Sequence, residues 1–522
     1  MNVAHPPLSQ GRLRALVVGG GIAGLACALR LQAAGLQVTL LERHGHTGGK
    51  IRTVPSAAGP VDAGPTVLTM RHVFDGLFAA AGARLEDHVH LVRQDRLARH
   101  FWPDGSQLDL FPDKARSSSA IEAFAGARAA DEFRDFHART SALFNAFDAP
   151  MMQAAEPGLS RLMPLVLGQP SLMRAMAPFS SLAASLARQF SDPRLAQLFG
   201  RYATYVGGAP QLCPALLALI WQAEAAGVWI VDGGMHKLAE AITGLCTELG
   251  VHIRPGAHVQ TITRDSSGVT GVALATGEHL PAGTIVFAGD PRALATGALG
   301  PQMGTVAPQT ATAPRSFSAR VISFAAPAEG LALDHHNILF DADPSSEFDD
   351  LAAGRIPRHP TLYICAEDRG TSRQPPDLER FEIIANAPAL APGASPDDTT
   401  DRMELASWNH QIVQKMKTFG LTFSPPPTVD MITSPHHFAQ MFPASLGALY
   451  GQTPHGMTAA LKRPRARTKI PGLYLCGGGT HPGAGVPMAT ISARHAAEAI
   501  LRDQTSISPS RQMAMPGGMS MG

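Results

Sequence analysis

Residues Gly19-Gly20-Gly21-Ile22-Ala23-Gly24 restrict the possible folds of this chain more than any other stretch, because they set a G-x-G-x-x-G pattern between an apolar run and a helical one. Leu13–Val18, apolar except for Arg14, suits a strand buried on both faces of a parallel sheet. The pattern predicts a helix from Ile22 to Ala34, closed by Gly35, and a second strand over Leu36–Glu42. Each glycine then has a purpose. Gly19 permits the tight turn, Gly21 lets the backbone approach a pyrophosphate, and Gly24 lets helix and strand pack closely. The helix N-terminus faces the negative charge. Glu42 ends the second strand, 18 residues after Gly24, and is placed to accept hydrogen bonds from ribose hydroxyls. A glycine turn alone needs no ligand; strand, helix and terminal acid together point to a dinucleotide.

That pattern alone does not separate FAD from NAD. Arg43 and then Gly48-Gly49-Lys50-Ile51-Arg52-Thr53 follow, a second glycine pair with cations just past the ribose-binding acid. Such a segment suits the longer, doubly contacted diphosphate of FAD. Taken singly, Lys50 and Arg52 would read as a solvated basic loop. Asp62-Ala63-Gly64-Pro65-Thr66 adds a rigid turn that could lie against a flat ring. Near the other end, Leu473–Cys476 precedes five glycines within Gly477–Gly485, and a helix begins near Val486. This loop exposes backbone N–H groups to a ring carbonyl or phosphate, and the helix points its positive end at the same place. His481 reads either as a general acid or base or, beside a proline in a tight loop, as a structural hydrogen-bonding group.

A chain of 522 residues has length for roughly three domains. Val259–Arg264, Val269–Ala275 and His279–Leu280 alternate with turn signals, and Thr284–Ala288 is another buried run. Residues 76–226 read as mostly helical, and 297–461 as mixed, with strands at Arg320–Phe324 and Thr361–Cys365. The expected fold is α/β. Residues 11–75, 227–296 and 462–502 form a glutathione-reductase-like dinucleotide domain, and 76–226 with 297–461 form a mixed α+β substrate domain. The first ten residues look like a loose arm, and 503–522, rich in Ser, Met, Gly and Pro, a disordered tail.

A formal net charge of +1 gives no electrostatic footprint for nucleic acid. Five scattered cysteines have neither C-x-x-C nor metal-ligand spacing, which suits a reducing compartment and no metal. Ala15–Leu31 is explained by the nucleotide pattern, so no signal peptide is read and the expected location is cytoplasmic. No stretch of about 18 uninterrupted apolar residues suggests a membrane-spanning helix.

The assembly resembles the bacterial and fungal carotenoid desaturases of the phytoene desaturase type, from about residue 13 to 501. The resemblance is carried by the Gly477–Gly485 loop with Thr480-His481-Pro482-Gly483, and by Asp62–Thr66. Pro60–Asp62 through Met70-Arg71, Phe199–Tyr205, Phe442–Ala444, Gly447–Tyr450 and Val486–Ala489 resemble one subgroup, the hydroxy- and methoxyneurosporene desaturases of purple bacteria. The resemblance implies FAD contacts at Gly19, Gly21, Ile22, Ala23, Gly24, Glu42, Arg43, Gly49, Lys50, Gly64, Pro65, Thr66, Val259, Gly478, Gly479, Val486 and Met488. It implies a long apolar polyene, comparable to the roughly 30 Å core of a bilayer, with 3,4-desaturation of a 1-hydroxy or 1-methoxy carotenoid as the reaction. Phytoene desaturation is the alternative, and an FAD-dependent amine oxidase the alternative of another class. The enzyme would sit peripherally on a membrane and pass electrons to oxygen or a quinone. Leu159–Phe190 has no Asp or Glu and only Arg161, Arg174 and Arg188 as charges, so it suits either an interfacial segment or a buried helix pair. No catalytic base stands out. Glu224 and His481 are candidates only through their place near domain junctions.

Overall fold

The computed structural model describes residues 14–394 and 398–512. The expected N-terminal arm therefore lies outside the described residues. The nucleotide domain is built on β1 (Arg14–Val18), β2 (Gln37–Leu41), β3 (His252–Arg254), β4 (Ile285–Phe287) and β5 (Leu473–Leu475), in the order β5-β4-β1-β2-β3. All four pairings are parallel. A parallel sheet must be covered on both faces, which is why its strands are short and nearly all apolar. One face carries α1 (Ile22–Ala33), α2 (His236–Glu248) and α3 (Val486–Gln512), whose Leu25, Leu29, Ile242, Ala493 and Ile500 share one core with Val17 and Val38. The other face is closed by an antiparallel three-stranded sheet of Val259–Arg264, Val269–Leu274 and His279–Pro281. Three segments far apart in sequence thus meet in one sheet.

The rest of the fold centres on a seven-stranded sheet ordered Ile432–Thr433, Ser318–Ala326, Glu379–Ala387, Leu362–Ala366, His336–Leu339, Ala98–Phe101 and Gln107–Leu110. Two of these strands lie in the 76–226 stretch that reads as helical, and Ala98–Phe101 joins the sheet by parallel pairing with His336–Leu339. They are short and carry Arg99 and His100, so local periodicity hides them. Another strand there, Leu91–Arg93, pairs with Trp229–Val231, so the boundary expected at residue 227 cuts through a ladder. The hairpin of Thr53–Ser56 and Gly59–Asp62 likewise leaves the nucleotide sheet and packs on Ser318–Ala326 and Glu379–Ala387. The helix α3 runs past Asp503 to Gln512, where a disordered tail was expected to have begun, and 513–522 lie outside the described residues.

Candidate functional site

The two glycine pairs meet. The N–H of Gly48 donates to the carbonyl of Gly20 at 2.9 Å, and Gly21 and Gly48 form a parallel bridge. A Cβ on Gly24 would lie 1.9 Å from the Gly19 carbonyl oxygen, and one on Gly49 would lie 2.9 Å from the Cα of Gly21. Neither position accepts a side chain, so the chain keeps a bare backbone cradle beneath the N-terminus of α1. No side chain caps that helix, which leaves its first N–H groups for an anion. Glu42 is buried at the end of β2. Its Oε2 accepts from the Gly20 N–H at 2.6 Å and its Oε1 from the His44 N–H at 2.8 Å. Each carboxylate oxygen has a second lone pair, so Glu42 can hold the glycine turn and still accept from a ribose. Val259 belongs to the same apolar core as Leu41 and Val18. Arg43 is exposed.

The cations after the second glycine pair turn away from the cradle. Lys50 donates its Nζ to the Leu449 carbonyl at 2.5 Å and lies over the Phe442 ring, and Arg52 donates to Thr433 Oγ1 at 2.8 Å. Lys50 keeps an exposed surface, yet the surrounding protein desolvates its ammonium and pushes its pKa down to about 8 against the pull of Asp290. These two residues tie the nucleotide domain to the 430–450 segment, a role that their spacing does not reveal.

Asp62 is equally structural. Its carboxylate accepts from the backbone N–H groups of Met235 and His236 and from His236 Nδ1 at 2.9 Å, at the start of α2. Behind it lies a buried acidic group: Glu367 accepts from the Asp62 N–H at 2.8 Å, and Glu382 is fully buried with neither oxygen hydrogen-bonded among the described residues. Burial first, then Asp62 and Glu367, holds the Glu382 carboxyl well above the ordinary 4.5. The folded protein therefore keeps this proton at pH values where the unfolded chain has released it. Its stabilising effect is complete below the unfolded pKa and is lost as pH rises towards the folded one. We expect wild-type thermal stability to fall more than that of Glu382→Gln between about pH 5 and about pH 8. Calorimetry giving parallel slopes would show that Glu382 does not carry the effect.

Gly64, Pro65 and Thr66 continue from Asp62. A Cβ on Gly64 would sit 2.0 Å from the Lys50 carbonyl oxygen. Pro65 and Thr66 reach a cavity of about 670 Å³, and from the opposite end of the chain Val486 and Met488 line the same space. Gly478 and Gly479 sit just behind, with Gly451 packed against Gly479. The loop is pinned by Arg463, a buried cation that donates to the carbonyls of Gly478 (2.7 Å), Tyr450 (3.1 Å) and Gln452 (3.2 Å). Desolvation lowers its pKa to about 10. Arg463 belongs to no motif, and only the assembled loop reveals its place.

The cavity is mostly apolar, with Phe144, Phe147, Leu216, Leu219, Ile220 and Phe340 among its walls. Four sets of polar groups stand among its walls. His481 donates from Nε2 to the Ala154 carbonyl at 2.9 Å and stacks on His495, which holds the Gln153 carbonyl at 3.1 Å. Burial lowers its pKa, so it is a neutral structural imidazole that fastens 153–154 to the C-terminal loop. Glu347 accepts from the Asn386 amide at 2.8 Å and the Thr361 N–H at 3.0 Å. Glu224 accepts from Tyr205 at 3.0 Å, and Tyr205 in turn accepts from Arg201 Nη1 at 2.8 Å. Burial raises the Glu224 pKa while Arg201 opposes it. A fourth group stands at the Thr66 wall, where Tyr363 Oη lies 2.6 Å from Thr66 Oγ1 and 2.7 Å from His336 Nδ1. His336 belongs to a buried His335–His336–Cys365 cluster that the scattered spacing could not reveal. Burial pushes the Cys365 thiol well up and both imidazoles down, so it keeps its proton.

Five of the nine large apolar side chains found exposed belong to one segment: Leu159, Met163, Leu167, Met173 and Phe179. They project from the short helices Leu159–Leu167 and Pro170–Met176 and the turn that follows, while Leu162 and Leu172 anchor the other side against Leu143 and Phe147. Leu212 and Met457 are exposed next to it, where the Gly456 N–H meets the Leu212 carbonyl and Met457 lines the cavity. An apolar patch therefore borders the cavity wall. Among the described residues no helix is long and apolar enough to cross a membrane.

Residues 22–325 and 430–501 match the family described as flavin containing amine oxidoreductase. A hydroxyneurosporene desaturase of Cereibacter sphaeroides is 52% identical over 94% of this chain and 98% of its own length. One of Rhodobacter capsulatus is 48% identical over 94% and 98%. Among solved structures, an oxidoreductase from Methanosarcina mazei shares the fold at a TM-score of 0.60, with 15% identity over 93% of this chain and all of that one. With a bare dinucleotide cradle built from both ends of the chain and relatives of this identity along nearly its whole length, the protein is an FAD enzyme that belongs to the flavin-containing amine oxidoreductases, on their carotenoid desaturase branch.

Proposed function

We propose that this protein removes two hydrogens from neighbouring carbons of an acyclic carotenoid with an oxygenated end, forming the 3,4 double bond of a 1-hydroxy or 1-methoxy carotenoid. The observation that carries the reading is the mostly apolar cavity of about 670 Å³, lined by Pro65, Thr66, Val486 and Met488 and also by Met457 of an exposed apolar patch, in a chain 52% identical to a hydroxyneurosporene desaturase. FAD, when bound, would supply the two-electron acceptor for a hydride from an allylic carbon, and the proton of the adjacent carbon would be released to solvent or to the electron acceptor's side of the reaction. The chain's own residues do the rest. Gly19, Gly21, Ile22, Ala23, Gly24 and Gly49 offer backbone to the diphosphate, Glu42 accepts from the ribose, and Arg43, Lys50 and Val259 border that end. Gly64, Pro65, Thr66, Gly478, Gly479, Val486 and Met488 hold the ring at the cavity. The apolar walls orient the polyene and keep water from the developing cation.

The patch around Leu159–Phe179 would rest on a membrane surface, with Arg174 and Arg188 at headgroup level, and deliver the polyene to the cavity without a spanning helix. Oxygen or a membrane quinone would then take the electrons. An amine oxidase remains the second reading on family grounds, yet the buried carboxylate best placed to meet an ammonium, Glu224, is already joined to Arg201 through Tyr205.

Product analysis with phytoene, neurosporene and 1-hydroxyneurosporene supplied separately in liposomes tests the reading. A 1-hydroxylated end offers an allylic hydride whose cation spreads through a long polyene, whereas phytoene has a shorter conjugated system. At least about tenfold higher kcat/KM for the 1-hydroxy carotenoid, about 1.4 kcal/mol, is expected. Equal or faster turnover of phytoene would make this a phytoene desaturase with the same fold and cofactor.

A further inference from the structure

The oxygen of a 1-hydroxy or 1-methoxy carotenoid lies three bonds from carbon 3, so whatever recognises it must stand close to the reacting carbons. The cavity offers few candidates. Glu347 already accepts the Asn386 amide and the Thr361 N–H, and His481 spends its Nε2 proton on the Ala154 carbonyl, so its unmet Nδ1 can only accept and neither group offers a donor to an ether. Arg201 differs. It is 8% exposed and lines the cavity, and only its Nη1 is engaged, while Nε and Nη2 are buried and donate to no acceptor among the described residues. Its guanidinium lies against the rings of Tyr202 and Tyr205, 5.3 and 5.0 Å from their centroids, and this fixes the plane of the fork. Buried donors left unmet cost about 1–3 kcal/mol, so a cavity built this way favours a ligand that brings an acceptor.

Its position agrees. The positive charge of Arg201 acts on His336, which is hydrogen-bonded to Tyr363 and through it to Thr66, on the wall proposed above for the ring. Glu224, reached through Tyr205, balances the charge.

We propose that Arg201 is the group that selects an oxygenated polyene end, donating from Nε and Nη2 to the hydroxyl or ether oxygen on carbon 1. The proposal rests on the carotenoid reading above and adds a condition to it. A guanidinium only donates, and both an alcohol and an ether can accept. The two ends should therefore be taken alike, and a plain hydrocarbon end should leave the donors unmet.

Three substrates separate the possibilities in the wild-type holoenzyme: 1-hydroxyneurosporene, its 1-methoxy ether, and neurosporene. The two oxygenated substrates are expected to agree in kcat/KM within about threefold, and both to exceed neurosporene at least about tenfold. No preference for oxygenated ends would sink the substrate reading itself. A preference for the alcohol over the ether of tenfold or more would overturn the Arg201 assignment alone, because it would require an acceptor such as Glu224 to bind the hydroxyl proton. The paired variant Arg201→Met/Glu224→Gln, which leaves no lone buried charge, should bring the oxygenated-to-hydrocarbon ratio close to one. The same ratio is read as Kd from carotenoid band shifts, so that loss of turnover cannot hide it. A folded, FAD-replete variant that keeps the wild-type ratio would overturn the proposal. If the variant fails to fold, the alcohol–ether comparison in the wild type still decides.

Discussion

Glu42→Ala is expected to weaken FAD binding by about 30- to 150-fold, the equivalent of losing a charge-assisted hydrogen-bond pair worth roughly 2–3 kcal/mol. The geometry adds a second effect. Glu42 also holds the Gly20 and His44 N–H groups at 2.6 and 2.8 Å, so the alanine variant orphans a buried donor within the glycine turn. The apoprotein should remain folded but lose about 1–2 kcal/mol of stability. Glu42→Gln retains one acceptor oxygen and should fall between wild type and alanine in both respects. Flavin content after extensive dialysis and fluorescence titration of the apoprotein measure the binding; urea unfolding of the apoprotein measures the rest. A Glu42→Ala protein that keeps its full flavin spectrum through dialysis would show that the acid serves the turn alone.

The joint substitution Leu167→Glu/Met173→Glu should release the protein from liposomes by about 100-fold, taking about 1.4 kcal/mol for each apolar side chain withheld from the bilayer interface. Leu167 is 60% and Met173 38% exposed, so neither change should alter folding stability by more than about 0.5 kcal/mol. FAD binding should not respond. Co-sedimentation with vesicles reads the first effect and thermal unfolding the second. Unchanged sedimentation would remove the patch from the membrane contact. The two readings of Leu159–Phe190 that composition left open divide in the structure: Leu162, Leu172, Leu182 and Leu186 are core, while their neighbours Leu159, Met163, Leu167 and Phe179 are surface. Composition cannot make that division, because the segment is apolar on both sides and the inside is defined by distant packing partners, Leu143 and Phe147 for Leu162 and Leu172, and the Phe133–Phe136–Phe199 core for Leu182 and Leu186.

The sequence by itself determined the nucleotide domain. Its signals are local and steric: Gly24 and Gly49 stand where a Cβ cannot, and β1 and β4 are apolar because helices and sheet cover both faces. The resemblance carried by Asp62–Thr66 and Gly477–Gly485 led to the carotenoid desaturases, to which the relatives also lead. Tertiary structure decided the partners. It sent Lys50 to Leu449 and Arg52 to Thr433, made Asp62 the cap of α2 and His481 a fastening, and recruited Ala98–Phe101 into a sheet that local periodicity hid. It also brought Arg201, Tyr205, Glu224, Tyr363 and Thr66, scattered over residues 66–363, to the walls of one cavity. A side chain's hydrogen-bond partner depends on which distant backbone arrives beside it, and burial, which shifts Glu382 and Lys50, belongs to the assembled fold rather than to any residue in it.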